Sequence, residues 1–147
     1  MNSQDRWSGG ELAGRVSLGL LFVVEACSKL GAYGAAASYM MAFGMPPQLL
    51  PATVAFELGA GILMIIGWYT RSAAIGLAVF CVVAAVVFHT KLNDRSQVTH
   101  FEKDLALAGA FLVVAANGAG RFSLEARLTR RRRGAKSEAP VLAPHSD

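Results

Sequence analysis

The sequence predicts an all-α integral membrane protein: a four-transmembrane-helix bundle followed by a short cytoplasmic interfacial helix. Three observations predict it. Of 147 residues, 54% are hydrophobic and only 16% charged, with a mean hydropathy of +0.42. The charges gather at the ends of the chain and in short connecting stretches. Between them lie four apolar segments, each close to the ~20 residues that cross a ~30 Å hydrocarbon core. A soluble domain of this size needs polar residues over most of its surface and a polar face on most helices, and segment 72–90 has no such face. Runs this uniformly apolar also lack the alternation of a membrane β-barrel, which leaves helices as the spanning form.

Residues 1–11 form a polar start, predicted to be cytoplasmic, and the transmembrane domain covers 12–120. The first segment spans about 12–33, and its apolar run Val16–Val24 is followed by Glu25 and Lys29. Ala35-Ala36-Ala37 offers the small residues of a signal-peptide cleavage site, but the two charges and the long polar start fit an uncleaved helix instead. The second segment, about 49–69, is entered through Met45-Pro46-Pro47. Proline is tolerated there because the first N–H groups of a helix have no partner within it. The third, 72–90, carries no charge from Ala73 to Phe88, and the fourth, about 102–119, keeps its charges in the first turn. Gly118 and Gly120 end that helix, and Ser123 suits the N-cap of a basic interfacial helix over 121–133. Residues 134–147 are predicted to be disordered.

Four crossings put both termini on one side of the bilayer. Arg6, Arg15, Arg71, Arg121 and Arg127 fall on that side with the arginine run, against Lys91 and Arg95 on the other, with Lys29 and Lys103 near its boundary. The excess of Lys and Arg in short flanks makes the terminal side cytoplasmic, and Trp7, Trp68 and Tyr69 fall at the same interface. The net charge of +4 and pI near 9.4 sit mostly in Arg127, Arg130, Arg131, Arg132, Arg133 and Lys136. Beside a hydrophobic helix such a cluster meets anionic lipid headgroups and sets topology, which argues against nucleic acid as the partner.

Charge within a span is costly and faces the bundle interior with a partner. The candidates are Glu25, Lys29, Glu57, His89, Lys103 and Asp104. At ~1.5 Å rise per residue and alternating helix directions, they converge on the outer half of one bundle. Glu25 and Lys29 are spaced i,i+4 in the favourable order. On the third segment Ala74, Ala78, Cys81, Ala85 and His89 share a face, and on the fourth Asp104, Ala108, Phe111 and Ala115 do. Glu57 shares one with Gly61, and Ala55 with Gly59. Small residues spaced this way let helices approach closely, so these faces are the predicted seams. Structural readings compete at each site: an ion pair for Glu25–Lys29, a helix-dipole partner for Asp104, a snorkelling Lys103, an interfacial His89. Glu57 is hardest to explain that way, since a mid-bilayer carboxylate needs a partner or a proton.

No metal site is predicted: His89 and His100 lack ligand-type spacing, and His100 is placed in the loop before the fourth segment, which also argues against bis-histidine haem. Cys27 and Cys81 stand in separate apolar segments without CxxC spacing and carry no assigned role. Phosphate-binding, dinucleotide and Ser-His-Asp motifs are missing from the sequence.

Arg15-Val16-Ser17-Leu18-Gly19-Leu20-Leu21-Phe22 with Ser28-Lys29-Leu30 resembles the opening of DoxX-family membrane proteins. Glu57-Leu58-Gly59-Ala60-Gly61-Ile62-Leu63 and Gly67-Trp68-Tyr69-Thr70-Arg71 resemble that family's second helix and inner turn. Lys103-Asp104-Leu105-Ala106-Leu107-Ala108-Gly109 and Gly118-Ala119-Gly120-Arg121-Phe122-Ser123-Leu124-Glu125 resemble its fourth helix and exit, so the likeness runs from about Gly14 to Glu125. Glu25-Ala26-Cys27-Ser28 departs from the glycine-rich stretch of many relatives. The resemblance implies a small bacterial inner-membrane protein, in a family named for a subunit of a thiosulfate:quinone oxidoreductase, with Lys29, Glu57, His89, Lys103 and Asp104 as the matching positions of interest.

Three functions compete at this point. One is a redox-linked, quinone-interacting subunit without an electron-transfer cofactor of its own, working with a protein partner or a second copy of itself. The second is a non-enzymatic organiser that docks a partner enzyme through the arginine-rich tail. The third is a small-solute or proton-coupled carrier using Glu57, which short unbroken segments without inverted repeats favour least.

Overall fold

The apolar stretches are rich in Ala, Leu and Val, and the computed structural model is helical through all of them. It describes residues 3–89 and 94–137, with backbone alone for 3–7 and 132–137. The elements in order are α1 (Ser3–Gly31), α2 (Tyr33–Ala42), a 3-10 turn (Pro47–Leu49), α3 (Leu50–Ile66), α4 (Thr70–Phe88), α5 (Arg95–Asn117) and α6 (Leu124–Ser137). No strand occurs among the described residues. The expected arginine side chains of 132 and 133, Lys91, and residues 138–147 of the predicted disordered tail lie outside the described residues; α6 itself takes in 134–137.

The long helices differ from the predicted segments at three places. Helix α1 reaches back to Ser3, through the polar start. Residues 34–48, between the first two predicted segments, carry α2: Ala32 leaves the helical region (φ −122°, ψ 44°) and the chain turns by 97°. No proline causes this turn. Helix α2 instead gains an apolar bed, with Ala36, Ala37 and Met40 packed on Ala26, Leu50, Val54 and Phe88. Helix α5 begins about two turns before the predicted segment, because the Asp94 carboxylate accepts a hydrogen bond from Ser96 N at 2.9 Å and caps the helix there. His100 is therefore helical, not in a loop.

Helices α1 and α3 run antiparallel, since Arg15 approaches Gly67 while Lys29 meets Glu57. Helices α4 and α5 do the same, with Arg71 beside Gly118 and His89 beside Asp104. The two pairs join through a core of Phe22, Met64, Leu77, Cys81 and Phe111, in which the Phe22 ring meets those of Phe80 and Phe111 edge-on. The predicted α4 face is the buried one, from Ala74 through Ala85, and Ala108 and Phe111 bury the α5 face. On α3 the seam follows Glu57 and Gly61; Gly59 has open space around it. A Cβ on Gly61 would lie 2.8 Å from Gly19 O, and one on Gly19 would lie 2.7 Å from Gly61 O. The α1–α3 crossing therefore depends on two glycines in contact.

The exterior is apolar: Val24, Ile75, Val79, Val86, Leu112 and Val113 are all exposed. A belt of large hydrophobics around a buried polar centre reverses the soluble pattern. The 3-10 turn with α3 (Pro47–Ile66) and α4 are each long and apolar enough to cross a membrane, and α1 with α2 makes a third if that bent pair counts as one. In α5, Glu102, Lys103 and Asp104 interrupt the apolar stretch.

At the end opposite Lys29, Arg15 is buried, and its guanidinium donates to the carbonyl oxygens of Ala119 and, at 2.8 Å, Phe122. Gly67 (φ +71°) closes α3 against the same guanidinium, and its carbonyl accepts from Glu125 N at 3.2 Å. Ser123 Oγ accepts from Ala126 N at 3.1 Å, the predicted N-cap of the last helix.

The glycine crossing yields a stability test. Gly61→Val forces a branched side chain against the α1 backbone and is expected to cost about 1–3 kcal/mol. Gly59→Ala, into open space, should leave the thermal melt of the detergent-solubilised protein within a degree or so of wild type, or raise it slightly through helix propensity.

Candidate functional site

The helix pairing sets the chemistry of the far end. Glu57 sits on the buried face of α3 with 1% of its side chain exposed. From α1, Lys29 Nζ donates to both of its oxygens, Oε1 at 2.7 Å and Oε2 at 2.8 Å. The predicted Glu25–Lys29 pair is present but longer, at 3.5 Å, and Glu25 is mostly exposed. The close partner of Lys29 is therefore Glu57. A buried carboxylate gains far more from the cation than an exposed one screened by solvent does.

The second polar group comes from α4 and α5. His89 ends α4, its N–H donating to Ala85 O at 3.1 Å. Its Nδ1 lies 2.8 Å from Gln97 Oε1, its Nε2 lies 3.6 Å from Asp104 Oδ2, and its ring stacks on His100 with centroids 5.1 Å apart. Asp104 faces inward from the predicted small-residue face of α5, while Lys103 beside it is exposed.

Both groups open into one cavity of about 860 Å³. All six residues singled out in the sequence line it: Glu25, Lys29, Glu57, His89, Lys103 and Asp104. The rest of the wall is largely apolar, with Phe22, Leu50, Phe80 and Leu107 among its members, and Leu21 and Val83 both line the cavity and reach the exterior. Helix α2 closes one side with Ala35, Ala36, Tyr39 and Met40. Its hold is aromatic: the Tyr39 ring packs on Phe43 and stacks on Phe88, at 4.9 and 5.7 Å.

Sequence reasoning missed Tyr39, Gln97 and His100 as members of this site. Tyr39 was hidden because nothing in the Ala-rich stretch marks a sharp turn after Gly31. Gln97 and His100 had a readable signal, since Asp94 followed three residues later by Gln97 is the spacing of a helix N-terminal box. Gln97 bonds His89 rather than the helix start. Two cysteines in apolar segments are expected to be buried; Cys81 is, and lines the cavity, whereas Cys27 is exposed, and both are free thiols. Among the described residues no three His, Cys, Asp or Glu side chains converge to hold a metal ion.

At the other end, the arginines of α6 do not gather into a pocket with the six. Arg127, Arg130 and Arg131 are exposed on the helix, beside exposed Leu124 and Leu128.

The DoxX family pattern matches residues 10–90, which takes in Lys29, Glu57 and His89 and stops before α5. The chain is 30% identical over 122 residues to "Inner membrane protein YqjF" of Escherichia coli (strain K12), covering 83% of this chain and 94% of that protein. It is 29% identical over 123 residues to "Inner membrane protein YphA" of the same organism, covering 79% and 88%. No solved structure matches the chain.

The ion pair makes a specific prediction. Lys29→Met leaves Glu57 buried without its cation and is expected to cost about 3 kcal/mol, read as a lower melting temperature. Lys29→Met combined with Glu57→Leu should recover most of that loss, because removing both charges also removes the desolvation penalty.

Proposed function

Since the chain belongs to the DoxX family, we propose that it is a multi-pass inner-membrane subunit whose cavity takes a quinone-type ligand, with electrons passing to or from a partner protein. The observation that carries this reading is the cavity of about 860 Å³ with Lys29, Glu57, His89 and Asp104 on largely apolar walls. Ligand sites run to about 300–1,000 Å³ and combine apolar walls with a few convergent polar groups. A quinone has that same division: ring oxygens that accept hydrogen bonds, and an apolar tail. The His89 and His100 rings supply donors, and the Leu21 and Val83 wall offers the tail a route toward lipid. Two relatives named as inner membrane proteins agree with the location.

The same reading makes α5 the fourth span. Its exposed Leu105, Leu112 and Val113 suit lipid, and its charges turn into the cavity or stand near its start. Both termini are then cytoplasmic. Helix α6 lies on that leaflet, with Leu124 and Leu128 toward the acyl boundary and Arg127, Arg130 and Arg131 toward anionic headgroups.

Binding is tested with the full chain in nanodiscs, titrated with a short-chain benzoquinone. Wild type is expected to bind, and His89→Ala and Glu57→Gln to weaken binding at least about tenfold, or ~1.4 kcal/mol, with His100→Ala as a second variant for any that elutes as aggregate. No binding by well-folded wild type, or equal binding by all variants, overturns the quinone reading. Topology is read separately: in a Cys27→Ser, Cys81→Ser background, cysteines introduced at Ser3 and Ser146 should react with a membrane-impermeant thiol reagent only when the cytoplasmic face is opened. Labelling of either in intact spheroplasts overturns the orientation.

A further inference from the structure

The two charged groups in the cavity are built differently, and the difference assigns them different work. In the first, Lys29 meets both oxygens of Glu57 within 2.8 Å and a third, longer contact with Glu25 uses its remaining direction. An ammonium has three donors and no acceptor, so this pair is closed: a charge balanced in place, with no proton to exchange.

His89 stands instead between two acceptors. Gln97 Oε1 lies 2.8 Å from Nδ1, and an amide oxygen can only accept, so Nδ1 carries a proton and donates it. On the other side of the ring, Asp104 Oδ2 faces Nε2 at 3.6 Å. A neutral imidazole has one N–H, and it is spent on Gln97. A proton on Nε2 or on the Asp104 carboxyl would serve the second face. The gap is wider than the 2.7–3.2 Å of a good hydrogen bond, so that proton is not locked between them. His100 stacks on the His89 ring with centroids 5.1 Å apart. The other ionisable groups lining the cavity are Glu25 and Lys29 of α1, Tyr39 of α2, Glu57 of α3, Cys81 of α4 and Lys103 of α5. Of these, Lys29 and Glu57 are taken by each other.

We propose that His89, held between Gln97 and Asp104, is the proton-donating residue of the cavity, and that the His89–Asp104 pair offers a single exchangeable proton to a carbonyl oxygen of the occupant. This rests on the cavity being a ligand site, as set out above. The proton sits on Nε2 or on the carboxyl when the cavity is empty. A bound carbonyl oxygen accepts it as a hydrogen bond from Nε2, leaving Asp104 as the counter-charge. Gln97 is a positioning residue, because it selects the ring tautomer without touching the occupant.

The test uses the full chain in nanodiscs with ¹⁵N-labelled histidine, the signals assigned with His100→Gln and His145→Gln. His89 Nδ1 is expected to stay protonated throughout the neutral range, while Nε2 gains a proton in one step. Asp104→Asn, which removes the carboxylate facing Nε2 at 3.6 Å, should move that step to lower pH. Lys29→Met with Glu57→Gln should move it far less. Gln97→Leu, which removes the acceptor at Nδ1, should convert one tautomer into a mixture and serves if Asp104→Asn fails to fold. An unprotonated Nδ1 in wild type, or a step indifferent to Asp104→Asn, overturns the proposal. A short-chain benzoquinone then separates the two ideas. Its affinity should fall about tenfold per pH unit above the histidine step, and the fall should move with the step in Asp104→Asn. Affinity that ignores pH overturns the proton assignment and leaves the ligand reading standing. No binding at any pH, with a histidine step that still answers to Asp104, overturns the quinone reading and supports the proton site.

Discussion

A carboxylate in the middle of an apolar helix sets a problem that the rest of this molecule is arranged to solve. Glu57 is almost wholly enclosed, with 1% of its side chain exposed. Its solution comes from another helix: Lys29 reaches across from α1 and engages both oxygens. That contact requires α1 and α3 to run close together over several turns, and Gly19 and Gly61 make the approach by letting the two backbones touch. Ion pairs of this kind rarely add net stability over an apolar pair, since the Coulombic gain is set against the desolvation of both ions. What this one supplies is register. Only one alignment of α1 on α3 puts the ammonium over the carboxylate and the glycines face to face.

The two ends of the helix pairs then take different roles. At one, Arg15 solves its own burial with carbonyl oxygens in place of an acid, drawing Ala119 and Phe122 in beside Gly67. Those carbonyls follow α5, where the helix has ended and they have no amide partner within it, so a buried guanidinium and a helix exit satisfy each other. The same contact holds the start of α6 in place, with Glu125 N on Gly67 O. At the other end the helices part around a cavity, and α2 folds over one side. Its turn is held by packing rather than by any chain-breaking residue: Met40 buries among Ala26, Leu50 and Val54, and Tyr39 and Phe43 clasp Phe88, the last residue of α4.

The family pattern matches the half of the chain that contains Lys29, Glu57 and His89. Asp104, Gln97 and His100, which complete the environment of His89, come from α5 beyond that match. The closed pair and one imidazole thus belong to the matched region, and the partners of that imidazole lie outside it.

Much of this was legible without coordinates. Hydrophobic length located the apolar helices, the small-residue stripe of α4 pointed inward as read, and the cost of burying charge picked out six residues that share one cavity. Those inferences work because they depend on one helix at a time: period, length and the penalty for an unpaired charge are local properties. The sequence did not say who pairs with whom. It favoured Glu25 for Lys29 because spacing of i,i+4 can be seen along a chain, whereas Glu57 becomes the nearer acid only after α1 and α3 cross. The turn into α2 was invisible for the same reason, since the apolar bed that holds it is made by residues far along the chain. Arg15 read as a flanking charge, and only the return of residues 119–122 beside it turns it into a clasp. The sequence by itself determined which residues must leave the lipid. The tertiary structure decided which partners received them, because a buried charge is satisfied by whatever donor or acceptor packing brings within about 3 Å.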